Sequence, residues 1–93
     1  MSKMLIVESY PNLASLYSEI LAEEGHDVLV ASNCREAADI ARANDIELVI
    51  MDESSPDKCA DKLLRTIKTI QPNIKVIVCP LNQFSRRRYS ELC

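Results

Sequence analysis

The sequence has few glycine, histidine and aromatic residues and no long apolar run, which excludes several classes of protein. It contains one glycine, no tryptophan and one histidine, and only 4% of its residues are aromatic. One glycine and four prolines in 93 residues exclude collagen-like and flexible low-complexity chains. No apolar run approaches the roughly 20 residues that a membrane-spanning helix needs. With 47% hydrophobic and 27% charged residues, the composition indicates one small globular domain, residues 1–93.

Four cysteines are present, at Cys34, Cys59, Cys79 and Cys93, and no two have CxxC spacing. With a single histidine, this arrangement makes a metal site a weak interpretation. Two disulfides are arithmetically allowed, but residues 4–7 form far too short an apolar run for a secretory signal. We therefore expect a cytoplasmic protein whose thiols are reduced and mostly serve as small hydrophobic side chains.

The stretch from residue 46 to Asp52 organises the chain. Five of the six residues 46–51 are apolar, which is typical of a strand buried on both faces of a parallel sheet. The run stops at Asp52, and Pro56 soon after it cannot continue a strand. Open α/β sheets place their sites at the carboxyl ends of such strands, although an aspartate there is also a common turn former or helix cap.

The rest of the chain alternates between strand and helix patterns. Asn33 and Glu36 have the spacing of a capping box, Gly25 stands where a helix would end in a left-handed cap, and Pro72 stops a third helix. Strands are predicted over residues 4–7, 26–31, 46–51 and 75–79, and helices over 13–24, 33–44, 60–70 and 81–93. Alternation of this kind predicts a parallel sheet with helices on both faces.

Taken in chain order, several segments of the sequence resemble the receiver domain of bacterial two-component response regulators. The resemblance covers about residues 3–80 and rests on segments 5–8, 10–13, 25–28, 31–33, 48–52 and 63–68, with Pro56. It implies a flavodoxin-like three-layer sandwich with a parallel sheet of about four strands in the order 2-1-3-4. The family's fifth strand and fifth helix have no counterpart in the sequence.

The resemblance also implies a site. The family's phosphoacceptor aspartate, which takes a phosphoryl group from a histidine kinase, corresponds to Asp52. Its Mg²⁺ ligands correspond to Glu8, Asp52 and the backbone carbonyl of Ser54. Positioning and charge neutralisation by the metal carry most of such a reaction.

The sequence departs from the family pattern within this site. The second metal-binding acid is replaced by Ser9, the hydroxyl residue after the fourth strand is replaced by Pro80, and the family lysine has no counterpart. Losing one preorganised charge-stabilising group costs a catalytic site roughly 2.7–4 kcal/mol. We therefore expect a degenerate receiver that needs no cofactor, binds Mg²⁺ weakly at best and is not an enzyme. The alternative is a genuine phosphoacceptor that uses Asp52 and Mg²⁺.

A protein partner is the expected ligand, with a histidine kinase as one candidate. The fourth strand is an apolar edge that can pair with another chain, so a homodimer is also expected. Nucleic-acid binding through three adjacent arginines is disfavoured by the net charge of −3, and no membrane partner is indicated. The expected interaction surface comprises Val76, Ile77, Val78, Phe84, Arg86, Arg87 and Arg88.

Overall fold

The computed structural model describes residues 3–52 and 59–79. Within these ranges, strands and helices alternate along the chain, as the sequence predicts. The elements are β1 (Lys3–Val7), α1 (Pro11–Glu23), β2 (Asp27–Ala31), α2 (Cys34–Ala43), β3 (Leu48–Asp52), α3 (Ala60–Ile70) and β4 (Lys75–Cys79). The helix predicted over residues 81–93 lies outside the described residues.

The four strands form one parallel sheet in the order β2-β1-β3-β4. Leu5 of β1 pairs with Leu29 on one side and Val49 on the other, while Ile50 of β3 pairs with Ile77. The predicted fold class and strand order are therefore confirmed. Because the chain leaves β1 toward β2 and returns on the other side of β1 as β3, the switch point of the sheet lies between β1 and β3.

The main hydrophobic core lies between the sheet and the pair α2 and α3, which pack against each other. The inward residues of both helices and alternate residues of the strands form one cluster, since side chains alternate between the faces of a strand. Its members are Leu5, Val7, Ala31, Ala37, Ala41, Ile46, Val49, Met51, Leu63, Ile67 and Ile74.

The opposite face of the sheet is covered by α1, which packs on β1 and β2. Met4 and Ile6 are buried there. Ala14 is the buried residue of α1, whereas Leu16 and Ile20 are 49% and 50% exposed. The helix predicted over residues 13–24 is present, but its apolar side chains cover a wider stripe than the surface that it buries on these two strands.

Two predicted helix boundaries are formed by local hydrogen bonds. At the start of α2, Asn33 Oδ1 accepts from the Glu36 N–H at 2.8 Å, and Glu36 Oε1 accepts from the Ser32 N–H at 2.9 Å. Asn33 is the N-cap, and Glu36 reaches back to the residue before it, which makes this a variant of the capping box. After α1, Gly25 has a φ of 89° and its N–H donates to the Ala22 carbonyl at 3.0 Å, as in a left-handed cap.

Gln71, directly after α3, joins three elements that the sequence pattern does not connect. Its side-chain oxygen accepts from the N–H of Ile46 at 3.1 Å. Its side-chain nitrogen donates to the carbonyls of Ala41 at 3.1 Å and Asn44 at 2.8 Å. The buried N–H before β3 and the end of α2 are thus satisfied by one amide, which meets the requirement that buried polar groups be hydrogen-bonded.

The expectation of reduced thiols is wrong for one pair of cysteines. Cys34 and Cys59 form a disulfide with a Cα–Cα distance of 6.4 Å, which lies within the usual range of roughly 4.4–6.8 Å. Cys34 is the first residue of α2 and Cys59 is the N-cap of α3. Because these neighbouring helices begin at the same edge of the sheet, residues 25 positions apart come within bonding distance. Cys93 and the side chain of Cys79 lie outside the described residues.

None of the helices in the described ranges has both the length and the apolar content that crossing a membrane requires.

Candidate functional site

The candidate site lies at the carboxyl edge of the sheet, on either side of the switch point. Val7, the last residue of β1, pairs with Met51 of β3, so that Glu8 and Asp52 follow next on adjacent strands. On its other side, Asp52 pairs with Cys79 at the end of β4. The structure therefore brings the backbones of Glu8 and Asp52 together, as the resemblance to receiver domains implies.

Glu8 is buried, with 3% of its surface exposed, and is the one buried charged residue within the described ranges. Its Oε2 accepts a hydrogen bond from the Tyr10 N–H at 3.0 Å, and its own N–H donates to the Ala31 carbonyl at 2.9 Å. Pro11 begins α1 immediately after Tyr10. The Glu8 carboxylate thus holds the turn into α1, because it binds a backbone donor that precedes the helix.

Ser9 is exposed and offers a neutral hydroxyl where the family pattern has a second acid. Mg²⁺ is usually held by carboxylates, carbonyls and waters in a near-octahedral arrangement. Among the side chains that the structure describes, which do not include that of Asp52, no group of three or more histidine, cysteine, aspartate or glutamate residues is placed to hold a metal ion. Glu8 and Ser9 do not supply the pair of carboxylates that the resemblance implies, and the two residues fit a Mg²⁺ site poorly.

Several predicted site residues fall outside the described structure. Ser54, Pro80 and the side chain of Asp52 lie outside it, as do Phe84 and residues 86–88. On β4, Val76, Ile77 and Val78 are each half-buried. Within the described sheet, β4 pairs with β3 alone, which places these three residues on an edge strand.

A second feature at this edge, which the sequence did not predict, is a groove between α2 and α3 beside the disulfide. The groove has a volume of about 460 Å³ and is lined by Cys34, Arg35, Ala38, Asp39, Arg42, Cys59, Lys62, Leu63 and Thr66. A smaller cavity of about 10 Å³ is lined by Cys34 together with Ser9 and Met51. The available signal was that Cys34 and Cys59 each stand at the start of a predicted helix, and hence at one edge of the sheet.

The described fold agrees with a comparison to known families. A model of the response regulator receiver domain matches residues 4–87. The chain belongs to the response regulator receiver domain family. The resemblance inferred from the sequence is therefore confirmed.

Two curated relatives illustrate this membership. Sporulation initiation phosphotransferase F from Bacillus subtilis is 32% identical over 76 residues, which cover 82% of this chain and 61% of the relative. The chemotaxis protein CheY from Thermotoga maritima is 30% identical over 78 residues, which cover 83% of this chain and 65% of the relative. The chain thus spans less than two thirds of the length of either relative.

Solved structures agree on the fold. The response regulator TrrA from Thermotoga maritima, in complex with Mg²⁺-BeF, superimposes with a TM-score of 0.80 at 27% identity, over 98% of this receiver and 79% of that chain. A structure of the histidine kinase ThkA in complex with TrrA matches with a TM-score of 0.79 at 28% identity, over 92% of this receiver and 74% of that chain.

Proposed function

We propose that this receiver is degenerate and acts mainly as a protein-interaction module in a two-component phosphorelay of the bacterial cytoplasm. In this proposal it is not an enzyme, and its role requires neither Mg²⁺ nor phosphorylation of Asp52. Its partner is a protein, for which a histidine kinase is the leading candidate because a matched structure contains a kinase with a response regulator. Nucleic acid and membrane have no part in the proposed role.

The proposal is supported mainly by the burial and hydrogen bonding of Glu8 and by the missing charge at Ser9. Glu8 is buried and accepts a hydrogen bond from the N–H of Tyr10, while Ser9 brings no charge. A phosphoryl group carries several negative charges during transfer, and most of its stabilisation comes from cations positioned around it. With one fewer acid to hold Mg²⁺, and Pro80 in place of a hydroxyl residue, the rate of transfer to Asp52 is expected to be low.

A genuine phosphoacceptor is the second candidate function. It is supported by the position of Asp52, which ends β3 beside the switch point and between β1 and β4. It is also supported by the likeness to TrrA, whose structure holds Mg²⁺-BeF. In this alternative, Glu8, Asp52 and the Ser54 carbonyl would hold Mg²⁺, which would neutralise charge on the phosphoryl group.

The first prediction is that Asp52 forms very little phosphate adduct. Incubating the protein with a small-molecule phosphodonor and Mg²⁺, followed by intact mass measurement, is expected to leave nearly all of it unmodified. Since a missing charge-stabilising group slows catalysis by about 10²–10³-fold, Ser9→Asp is expected to raise the initial rate of adduct formation. A near-stoichiometric adduct on the wild-type protein that is absent from Asp52→Asn would instead establish the second candidate.

The second prediction concerns the oligomeric state, for which we propose a homodimer. In the described sheet, β4 is an edge strand with the apolar sequence Val76, Ile77, Val78, and such an edge can pair with another chain. Sedimentation equilibrium at low micromolar concentration is expected to give a dimer mass. Ile77→Lys is expected to shift the equilibrium toward monomer, whereas Ile20→Lys on α1 is the control away from this edge. A monomer mass at every concentration would contradict the dimer.

A further inference from the structure

We propose that the Cys34–Cys59 disulfide is a reversible exchange site for a small anionic thiol, which binds in the groove between α2 and α3. The groove combines a reducible bond, access from solvent and an excess of positive charge, and none of these is needed for the proposed receiver role.

The bond is accessible from the groove. Both cysteines line it and both are partly exposed, which contrasts with the buried core residues Ala37 and Leu63 on the same helices. The volume of about 460 Å³ is within the roughly 300–1,000 Å³ that is usual for small-molecule sites. The groove is therefore large enough to admit a thiol of peptide size beside the disulfide.

The charge of the groove favours an anion. Arg35, Arg42 and Lys62 line it, and Asp39 is the single acid among its lining residues. Arg42 Nη1 forms a salt bridge with Asp39 Oδ1 at 3.2 Å, so the acid is already engaged by one of the three cations. Clefts lined by one sign of charge raise the local concentration of oppositely charged reactants. An anionic thiol is thus expected to react faster than a neutral one of equal intrinsic reactivity.

A cytoplasmic location, as proposed above, favours a disulfide that is reduced and re-formed reversibly. Disulfides in cytosolic proteins are usually transient and serve in catalysis or redox sensing, since cellular thiols keep most cysteines reduced. This step rests on the cytoplasmic role proposed above, whereas access and charge rest on the structure alone.

The small thiol supplies the electrons and protons that reduce the protein disulfide. Its thiolate attacks one cysteine Sγ, the S–S bond breaks, and the electron pair leaves on the other Sγ, which takes up a proton. A second thiol then displaces the protein sulfur from the mixed disulfide. Two small thiols become one small disulfide, while the protein bond gains two electrons and two protons. The small disulfide, as oxidant, drives the reverse reaction.

The experiment follows reduction of the Cys34–Cys59 bond in the whole protein by peptide mapping after alkylation, which separates this pair from Cys79 and Cys93. Reduction by glutathione, an anionic thiol, is compared with reduction by neutral 2-mercaptoethanol. Each rate is divided by that of the same thiol with a neutral small disulfide, because thiols differ in intrinsic reactivity. We expect an advantage of about tenfold for glutathione at low ionic strength, with most of it lost at high salt.

Charge variants test the groove. Arg35→Gln with Lys62→Gln is expected to abolish most of the glutathione advantage. Arg65→Gln with Lys75→Gln removes the same amount of charge at exposed positions outside the groove. This control is expected to keep the rate advantage of glutathione. Three results would each overturn the proposal. The two thiols could give equal normalised rates, or the two double variants could have equal effects. The third result is that no Cys34–Cys59 linkage forms after incubation with glutathione disulfide. The adduct assay on Asp52 is independent of all three outcomes.

Discussion

Replacing Ile67 by alanine is expected to lower the free energy of unfolding by about 3–4 kcal/mol. Ile67 is fully buried in the cluster between the sheet and α3. Removing a buried isoleucine side chain forfeits its transfer free energy and leaves a cavity, which together cost about 2–5 kcal/mol. We place the effect in the middle of this range because the site lies in a close-packed centre that has little room to collapse.

Urea unfolding measures the effect, and Ile20→Ala is the matched control. The control makes the same change in a helix, but at a position that is 50% exposed, and is expected to change stability by less than about 1 kcal/mol. For Ile67→Ala the midpoint should fall while the slope stays the same, since a similar surface is exposed on unfolding. Similar losses for both variants would mean that the packing of α3 on the sheet is not as described.

Reducing the Cys34–Cys59 disulfide is expected to lower stability by about 3 kcal/mol. The bond closes a loop with a sequence separation of 25 residues. In the chain-entropy model, a cross-link over such a loop stabilises the folded state by about 3–4 kcal/mol, because it restricts the unfolded chain. A domain of this size shifts its melting temperature by about 4–8 °C for each kcal/mol, so the reduced protein should melt about 10–25 °C lower.

Thermal melts with and without reductant measure this difference. The double variant Cys34→Ser, Cys59→Ser is expected to melt close to the reduced wild-type protein and to be insensitive to reductant. A reductant effect that persists in the double variant would assign the stabilisation to other cysteines. Equal melting temperatures of the oxidised and reduced wild-type protein would show that the bond does not restrict the unfolded chain.

Local patterns in the sequence predicted the strands and helices, and the resemblance to receiver domains implied the strand order and the place of the site. Apolar runs such as residues 46–51 predict buried parallel strands, because a strand covered on both faces needs apolar side chains throughout. Asn33 and Glu36 predict the start of α2, since a capping box involves residues three apart. The alternation of elements predicts a parallel sheet, and the resemblance to receiver domains implies the strand order that brings Glu8 and Asp52 side by side at one edge.

The sequence periodicity of α1 could not predict that part of its apolar stripe is exposed. The spacing of Leu16 and Ile20 identifies a helix but does not say how much of its surface a neighbour covers. Their exposure of about half follows from the position of α1 over β1 and β2. A pattern of 3.6 residues records only which residues share a face, whereas burial depends on what packs against that face.

Tertiary structure alone decided the contacts between distant segments. Gln71 binds Ala41, 30 residues away, and Ile46, 25 residues away, and Cys34 meets Cys59 across a similar separation. The composition of each segment favours no such partner, and the expectation of reduced thiols was wrong for that reason. These groups meet because α2, α3 and β3 are packed side by side, and only the packing sets which of their ends lie within bonding distance.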